Sequence, residues 1–134
     1  MYIQDFDYYR PATLKEASKL LAKYGDQAKV LSGGTDLLSK MKNGMSAPTI
    51  LVSLKDISNL SEIEYLQGKG VVIGAKAIHN DLVNSSLPQE RYPSISEAAH
   101  VMANNQVRNL GTAGGKRGRR RSNHPHDGLL CQCH

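Results

Sequence analysis

Hydrophobic positions near the start of the chain follow a helical spacing. Residues 13–24 carry an apolar side chain at every third or fourth position, which predicts an amphipathic helix. Thr13 and Glu16 have the spacing of a capping box at its beginning, and Gly25 stands where helices commonly end. The periodicity and both boundary signals therefore agree on one helix.

A strand, a turn, a helix and a second strand are predicted next. Residues 28–32 predict a short strand that ends at two glycines. Thr35 or Asp36 is placed to cap a helix that runs to about Lys42. Residues 49–54 (TILVSL) are continuously apolar except for one serine, which is typical of a buried strand. This order is the local pattern of an α/β fold.

The pattern changes after Lys55. Residues 62–67 and 70–77 predict two strands around a glycine-containing turn, which indicates a hairpin. Residues 78–86 predict a helix that Pro88 closes.

One more helix is predicted before a glycine-rich segment. Residues 94–103 have helical spacing, with Ser94 and Glu97 as a second capping box. Residues 106–115 predict an extended segment that leads into a turn. We expect two α/β subdomains, residues 1–55 and 56–115.

Composition limits the class of protein. The chain has 134 residues, 40% of them hydrophobic and 22% charged, which is ordinary for one soluble domain. No apolar run approaches the roughly 18 residues that a membrane helix needs. The first ten residues lack the basic region and apolar stretch of a secretory signal. We therefore expect a cytoplasmic protein with no membrane partner.

Most of the net positive charge lies in the last 19 residues. Residues 1–115 hold 12 Lys/Arg and 11 Asp/Glu, whereas residues 116–134 hold 5 Lys/Arg and one Asp. The net charge of +5 therefore does not describe the body of the protein and does not indicate nucleic-acid binding by it. Both cysteines also lie in this tail, so the body has neither a disulfide nor a thiolate metal site.

Two glycine-containing segments are candidates for ligand binding. In Lys29–Leu37 (KVLSGGTDL), a strand leads through two glycines into a helix, an arrangement that lets free backbone N–H groups approach a phosphate. A tight turn without a ligand explains the same pattern. Gln106–Gly115 (QVRNLGTAGG) is a second such segment, and two of them favour a ligand that carries a pyrophosphate.

The body contains no evident catalytic machinery. The segment His100–Ala103 admits two interpretations, either a wall for a flat aromatic ring or an exposed histidine beside a core methionine. Residues 1–115 show no nucleophile–base pair, no close pair of carboxylates and no metal-ligand spacing. We therefore expect no catalytic residue and no metal site, and a domain that positions a redox cofactor.

The order and spacing of five segments resemble a known family. They are FDYYRPATLKEASKLLAKYG, KVLSGGTDLL, ILVSLKDI, GVVIGAKAIHNDL and QVRNLGTAGG. Residues 2–115 resemble the FAD-binding (medium) subunit of molybdenum hydroxylases, which include xanthine dehydrogenase and aerobic-type carbon monoxide dehydrogenase. The resemblance implies two small α/β subdomains of the vanillyl-alcohol-oxidase-like (PCMH-type) FAD-binding fold, with FAD between them and the second subdomain incomplete.

The resemblance also implies a set of FAD-binding residues. The segment that would hold the pyrophosphate consists of Val30, Leu31, Ser32, Gly33, Gly34, Thr35, Asp36 and Leu37. The second FAD loop would consist of Thr112, Ala113, Gly114 and Gly115, and Met102 would lie close to the isoalloxazine.

In function, the resemblance implies an oxidoreductase subunit. FAD would receive electrons from [2Fe–2S] clusters in a small partner subunit, which obtains them from a molybdopterin-binding large subunit, and would pass them to NAD or another acceptor. An alternative is a flavin-free interaction module or a remnant of that subunit. Such a shortened chain is expected to be inactive alone, and to form a homodimer or to aggregate through apolar surface exposed at residues 94–103. Neither the substrate nor the acceptor follows from the sequence.

The sequence departs from the family after Gly115, where Lys116 replaces the expected Asn. A frameshift near codon 116 is one explanation, and residues 116–134 would then be a non-native or disordered tail. A nucleic-acid arm is a second, although no aromatic residue is interleaved for stacking. A metal site is a third, although the C-x-C-H spacing is not that of a standard zinc finger. The candidate ligands would be His124, His126, Cys131, Cys133 and His134.

Overall fold

The computed structural model describes residues 3–117 of the chain, and its side chains through Gly115. The chain divides into two compact units between Ser58 and Asn59. The assignment of residues 1–55 and 56–115 as subdomains of a flavin domain stays a prediction. The predictions for the tail stay predictions as well, since residues 118–134 and their candidate metal ligands lie outside the described residues.

The first unit is built on a three-stranded parallel sheet. Its strands are β1 (Asp7–Tyr9), β2 (Ala28–Leu31) and β3 (Ile50–Ser53), in the spatial order β1-β3-β2. All four residues of β3 are buried, as its apolar sequence predicts for a central strand. The short β1 was not predicted, because its sequence Asp-Tyr-Tyr has no strand periodicity of its own.

Two helices connect these parallel strands. The helix α1 (Leu14–Tyr24) joins β1 to β2, and α2 (Leu37–Lys42) joins β2 to β3. At the start of α1, Thr13 Oγ1 accepts a hydrogen bond from the N–H of Glu16 at 3.2 Å. The Glu16 carboxylate accepts from the N–H of Ala12, one residue before the position that a standard capping box uses. The predicted helix and its capping pair are therefore confirmed.

The second unit begins with the predicted hairpin. Its antiparallel strands are β4 (Ile63–Leu66) and β5 (Gly70–Ile73). The turn between them uses Gly68 and Gly70 at φ +81° and +92°, which side chains other than glycine rarely adopt.

Three helices pack with the hairpin. They are α3 (His79–Asn84), α4 (Ser86–Arg91) and α5 (Pro93–His100). The buried side chains of Leu82, Ile95 and Ala99 form a cluster, against which Ile63 and Ile73 of the hairpin pack. The core of this unit therefore lies where α3 and α5 meet the sheet.

Three boundary predictions in this unit were wrong. Pro88 does not close the preceding helix but lies inside α4, at the third residue of that helix. A proline is tolerated there because first-turn N–H groups have no partner within the helix. The next helix begins at Pro93 with Tyr92 as its N-cap, so Ser94 is inside the helix and does not cap it with Glu97. That helix also ends at His100, three residues before the predicted end.

The prediction of an extended segment over 106–115 was also wrong. Two short helices occupy it, α6 (Asn105–Arg108) and α7 (Ala113–Arg117). Asn104 begins the first of them, since its side chain accepts a hydrogen bond from the N–H of Val107 at 2.9 Å. Within residues 3–117, no helix has the length and apolar content needed to cross a membrane.

Candidate functional site

The first glycine-containing turn leads from β2 into α2. Gly34 has φ +79°, and its carbonyl accepts a hydrogen bond from the N–H of Leu38 at 3.0 Å. A Cβ at this position would lie 3.0 Å from Cδ1 of Leu38 and 3.2 Å from Cδ1 of Leu31. Glycine is therefore required here both by the backbone conformation and by the two leucines that pack over the turn.

This turn keeps several hydrogen-bonding groups unused. Among the described residues 3–117, the N–H groups of Gly33, Gly34 and Thr35 donate to no protein acceptor. In the same range, the hydroxyl oxygen of Ser32 is buried without a hydrogen-bond partner. The carbonyl of Thr35, in contrast, accepts from the hydroxyl of Ser39 at 2.8 Å. Buried polar groups are rarely left unpaired in native proteins, so three consecutive donors beside one hydroxyl fit a bound anion such as a phosphate.

The flanking residues of the predicted phosphate segment differ in exposure. Val30 is 43% exposed on the edge strand β2, whereas Leu31 and Leu37 are half-buried. Asp36, one of the two residues predicted to cap α2, is its N-cap residue, but the Asp36 side chain makes no capping hydrogen bond. Within residues 3–117, the groups of this turn that lack a protein partner are therefore three backbone N–H groups and the hydroxyl of Ser32.

The second glycine-containing turn, residues 112–115, overlaps the start of α7, and its N–H groups are bonded differently from those of the first turn. The N–H of Ala113 donates to the carbonyl of Ala77 at 2.8 Å, and that of Gly114 donates to Ala75 at 2.9 Å. The N–H of Gly115 donates to Oγ1 of Thr112 at 3.2 Å. These three amides are already satisfied within the unit, so a ligand at this turn would be held by shape and other contacts rather than by them.

Close packing explains the glycine at the centre of the second turn. A Cβ on Gly114 would lie 2.9 Å from both the Cβ and the carbonyl oxygen of Ala75. An isolated antiparallel bridge joins Ile78 to Thr112, and Thr112 is buried. The segment after β5 and the second turn therefore form one tightly packed element.

Met102 lies in the interior of the second unit, where only 4% of it is exposed, whereas His100 is exposed. This placement agrees with the interpretation of Met102 as a core residue and of His100 as a surface residue. Contact of Met102 with a flavin ring stays a prediction.

Sequence reasoning missed the residue that fixes the chain around Met102. Nη1 of Arg108 donates to the carbonyls of His100, Met102 and Ala103, at 2.9, 3.3 and 3.2 Å. The available signal was the pair Asn104–Asn105, which we interpreted as a helix end but which begins α6. Had α6 been predicted, Arg108 would have been placed in its last turn.

The predicted site residues are divided between the two units. Residues 30–37 lie in the first unit, and Met102 and residues 112–115 lie in the second. No group of three His, Cys, Asp or Glu side chains able to hold a metal ion occurs in the part of the chain that the structure describes.

A known family covers almost the whole described chain. The family described as the FAD binding domain in molybdopterin dehydrogenase matches residues 4–120. The chain belongs to this family. The family description names FAD, so the expected cofactor is confirmed.

Individual relatives agree with this membership. The chain is 39% identical over 131 residues to the carbon monoxide dehydrogenase medium chain of Hydrogenophaga pseudoflava, an alignment that covers 96% of this chain and 45% of the relative. It is 33% identical over 108 residues to the xanthine dehydrogenase FAD-binding subunit of Escherichia coli O157:H7, covering 81% of this chain and 37% of the relative. The chain therefore spans less than half the length of these relatives.

Solved structures confirm the fold. Carbon monoxide dehydrogenase from Hydrogenophaga pseudoflava, in a form that lacks the Mo-pyranopterin moiety, matches with a TM-score of 0.88 at 39% identity, over 94% of this chain and 44% of that one. Quinoline 2-oxidoreductase from Pseudomonas putida 86 matches with a TM-score of 0.80 at 30% identity, over 87% and 40%. The predicted partial FAD-binding fold is therefore correct.

Proposed function

We propose that this chain is the FAD-binding part of the medium subunit of a molybdopterin dehydrogenase. The observation that carries the proposal is the first turn, where the N–H groups of Gly33, Gly34 and Thr35 and the buried hydroxyl of Ser32 lack protein partners within residues 3–117. A pyrophosphate offers the oxygen acceptors that these donors need. A hydroxyl in a surface turn is rarely buried without a partner, because such burial costs free energy.

In this proposal the chain's residues bind and orient the cofactor. The N–H groups of the first turn and Ser32 hold the pyrophosphate, and residues 112–115 contribute a close-packed surface. FAD supplies the redox chemistry, since its ring accepts two electrons and can release them one at a time. No side chain of this chain is assigned a catalytic role.

The further parts of the proposal follow the relatives. Several of them are named as medium chains or FAD-binding subunits of dehydrogenases. We therefore propose a molybdopterin-binding large subunit and a [2Fe–2S] small subunit as partners, with NAD or another molecule as the electron acceptor. Substrate oxidation would occur on the large subunit, so the chain alone would be inactive as a dehydrogenase.

An FAD titration of the 134-residue chain, followed by quenching of flavin fluorescence, tests the proposal. The wild-type chain is expected to bind one FAD saturably. Ser32→Ala is expected to weaken binding by about tenfold or more, because hydrogen bonds to charged groups contribute about 1.5–3 kcal/mol. The same change removes a buried hydroxyl that has no partner in the free chain, so the variant is expected to unfold at higher urea than the wild type.

Ser18→Ala is the matched control, since Ser18 is exposed on α1 of the same unit. It is expected to change neither FAD affinity nor stability. Absence of saturable binding by the wild-type chain would contradict the proposal and favour a flavin-free interaction module. Equal affinity of Ser32→Ala and wild type would contradict the role of Ser32 alone.

A further inference from the structure

Arg108 connects two segments that sequence reasoning treated separately. Arg108 lies in the last turn of α6, and its Nη1 donates to the carbonyl of His100, the last residue of α5, and to those of Met102 and Ala103 just beyond that helix. The last carbonyls of a helix have no partner inside the helix, and a cation there also interacts favourably with the helix dipole. Arg108 therefore pairs with the last carbonyl of α5 and with two carbonyls of the turn that follows it.

The backbone that Arg108 holds is not relaxed. Ala103 has φ +50°, a left-handed conformation that is uncommon for residues with a Cβ. This residue follows Met102 directly, and its carbonyl is one of the three acceptors. The hydrogen bonds from Arg108 thus stabilise a turn whose local sequence does not favour it.

A cluster of asparagines holds Arg108 itself in place. Nε of Arg108 donates to Oδ1 of Asn80 at 3.3 Å. The amide nitrogen of Asn80 in turn donates to Oδ1 of Asn105, at 2.9 Å, and to Oδ1 of Asn109. These asparagines come from α3 and from both ends of α6. The guanidinium of Arg108 is therefore held on two sides, since its Nε donates to Asn80 and its Nη1 donates to the backbone carbonyls.

The helix that carries Arg108 is also linked to the second glycine-containing turn. The N–H of Gly111, three residues after Arg108, donates to the carbonyl of Val107 at 2.7 Å, and Thr112 follows at its bridge to Ile78. Movement of α6 would therefore move both the Met102 turn and residues 112–115.

From this geometry we propose that Arg108 is a positioning residue for the cofactor, which sets the Met102 turn and the second glycine-containing turn relative to each other. The inference rests on the proposed function, because it requires that these two segments contact FAD. Arg108 acts through the backbone that it bonds and is not itself assigned a contact with FAD.

Arg108→Met tests this role in the 134-residue chain, because it keeps much of the apolar stem and removes every donor. At saturating FAD, we expect an altered circular dichroism of the bound flavin, and an FAD Kd raised about tenfold. Arg108→Lys is expected to give an intermediate Kd and a partly restored spectrum, since one ammonium reproduces the charge but not the fork. The flavin spectrum is the decisive measurement, because a loss of stability alone would not change it.

Arg91→Met is the matched control, because Arg91 stacks on the ring of Tyr65 at 4.1 Å in the same unit. It is expected to leave the flavin spectrum and the Kd within twofold of wild type. If Arg108→Met does not fold, the FAD Kd and the flavin spectrum of Arg108→Lys are compared with those of the wild type, and this comparison decides whether Arg108 positions the cofactor. A folded Arg108 variant with wild-type Kd and flavin spectrum overturns the inference and leaves the proposed function intact. Failure of the wild-type chain to bind FAD overturns both.

Discussion

Arg10 and Asp56 form a two-point ion pair in the first unit. Nε and Nη2 of Arg10 each donate to a different carboxylate oxygen of Asp56, both at 2.8 Å. Arg10 directly follows β1 and Asp56 follows β3, and these strands are parallel neighbours, so both side chains emerge at the same edge of the sheet. The pair links the short, unpredicted strand β1 to the buried central strand.

Arg10→Gln is expected to lower the thermal midpoint of unfolding slightly, and more at low salt than in 1 M NaCl. The reason is that both partners are partly exposed, and charges at such sites are screened at high ionic strength. The hydrogen bonds to Asp56, and then the charge of Asp56, raise the pKa of Arg10. Arg10 therefore stays charged at every pH used for the unfolding measurement. Thermal unfolding followed by circular dichroism at two salt concentrations measures the effect.

Lys15→Gln is the control for this prediction, since it removes an exposed cation from the same unit. Its effect on the midpoint should be smaller than that of Arg10→Gln at low salt. Equal shifts in the two variants would mean that the pair contributes only through net charge.

Gly34→Ala is expected to destabilise the chain by about 2 kcal/mol or more. A side chain at φ +79° costs about 1–2 kcal/mol, and a Cβ 3.0 Å from Leu38 forces a further shift in packing. Gly44→Ala is a matched control, because Gly44 has φ +69° but no atom within 4 Å of a built Cβ. Urea denaturation should show a loss of only about 1 kcal/mol for Gly44→Ala.

The difference between these two variants isolates the packing of the two leucines over the first turn. If both variants lose the same stability, the leucines do not restrict the turn. Because Gly34→Ala disturbs the free protein, a change in FAD affinity at this position would not by itself show contact with the cofactor.

The hydroxyls of Tyr9 and Tyr24 lie 3.2 Å apart, and they are expected to titrate separately at alkaline pH. The hydrogen bond to Tyr24, followed by its charge, raises the pKa of Tyr9 above the ordinary value of 10.0. The hydrogen bond from Tyr9 lowers the pKa of Tyr24, with Lys23 acting in the same direction. Tyr24 should therefore ionise first and accept a hydrogen bond from Tyr9.

The effects on stability have opposite signs. Folding holds the Tyr9 proton more tightly than the unfolded chain does, so the stability from Tyr9 is lost as pH rises above the ordinary tyrosine range. The lowered pKa of Tyr24 means that its contribution is present above that range and is lost as pH falls through it. Tyrosinate absorbance during titration measures both ionisations.

Two variants separate the tyrosines. Tyr9→Phe should raise the pKa of Tyr24, and Tyr24→Phe should lower that of Tyr9, because each removes the hydrogen bond between them. Tyr8→Phe is the control, as Tyr8 is an exposed tyrosine next in sequence to Tyr9. Titration curves that differ only in amplitude among the three variants would show that the two hydroxyls do not interact.

Local signals in the sequence predicted the regular elements that carry such signals within themselves. The first helix has apolar spacing, a cap at Thr13 and a terminal glycine, and the structure has all three. The central strand β3 is apolar and is buried along its whole length. Elements without a local signal were missed, as was β1, which forms because β3 offers it a partner.

By itself, the sequence determined the α/β class, the position of the first glycine-containing turn, and membership of the FAD-binding family. Those features follow from the periodicity of apolar residues, from the positions of glycines and from similarity to the family over most of the chain. All three are properties of the linear sequence. Only the tertiary structure decided that the first turn keeps its N–H groups unused while Ala75 and Ala77 occupy those of the second. It also decided the hydrogen bonds of Arg108, whose three carbonyl acceptors lie at the end of α5 and in the turn that follows it. The physical reason is that the hydrogen-bond partner of a backbone group is often far away in sequence. Which distant groups come into contact depends on the folded structure and cannot be derived from the spacing of residues along the chain.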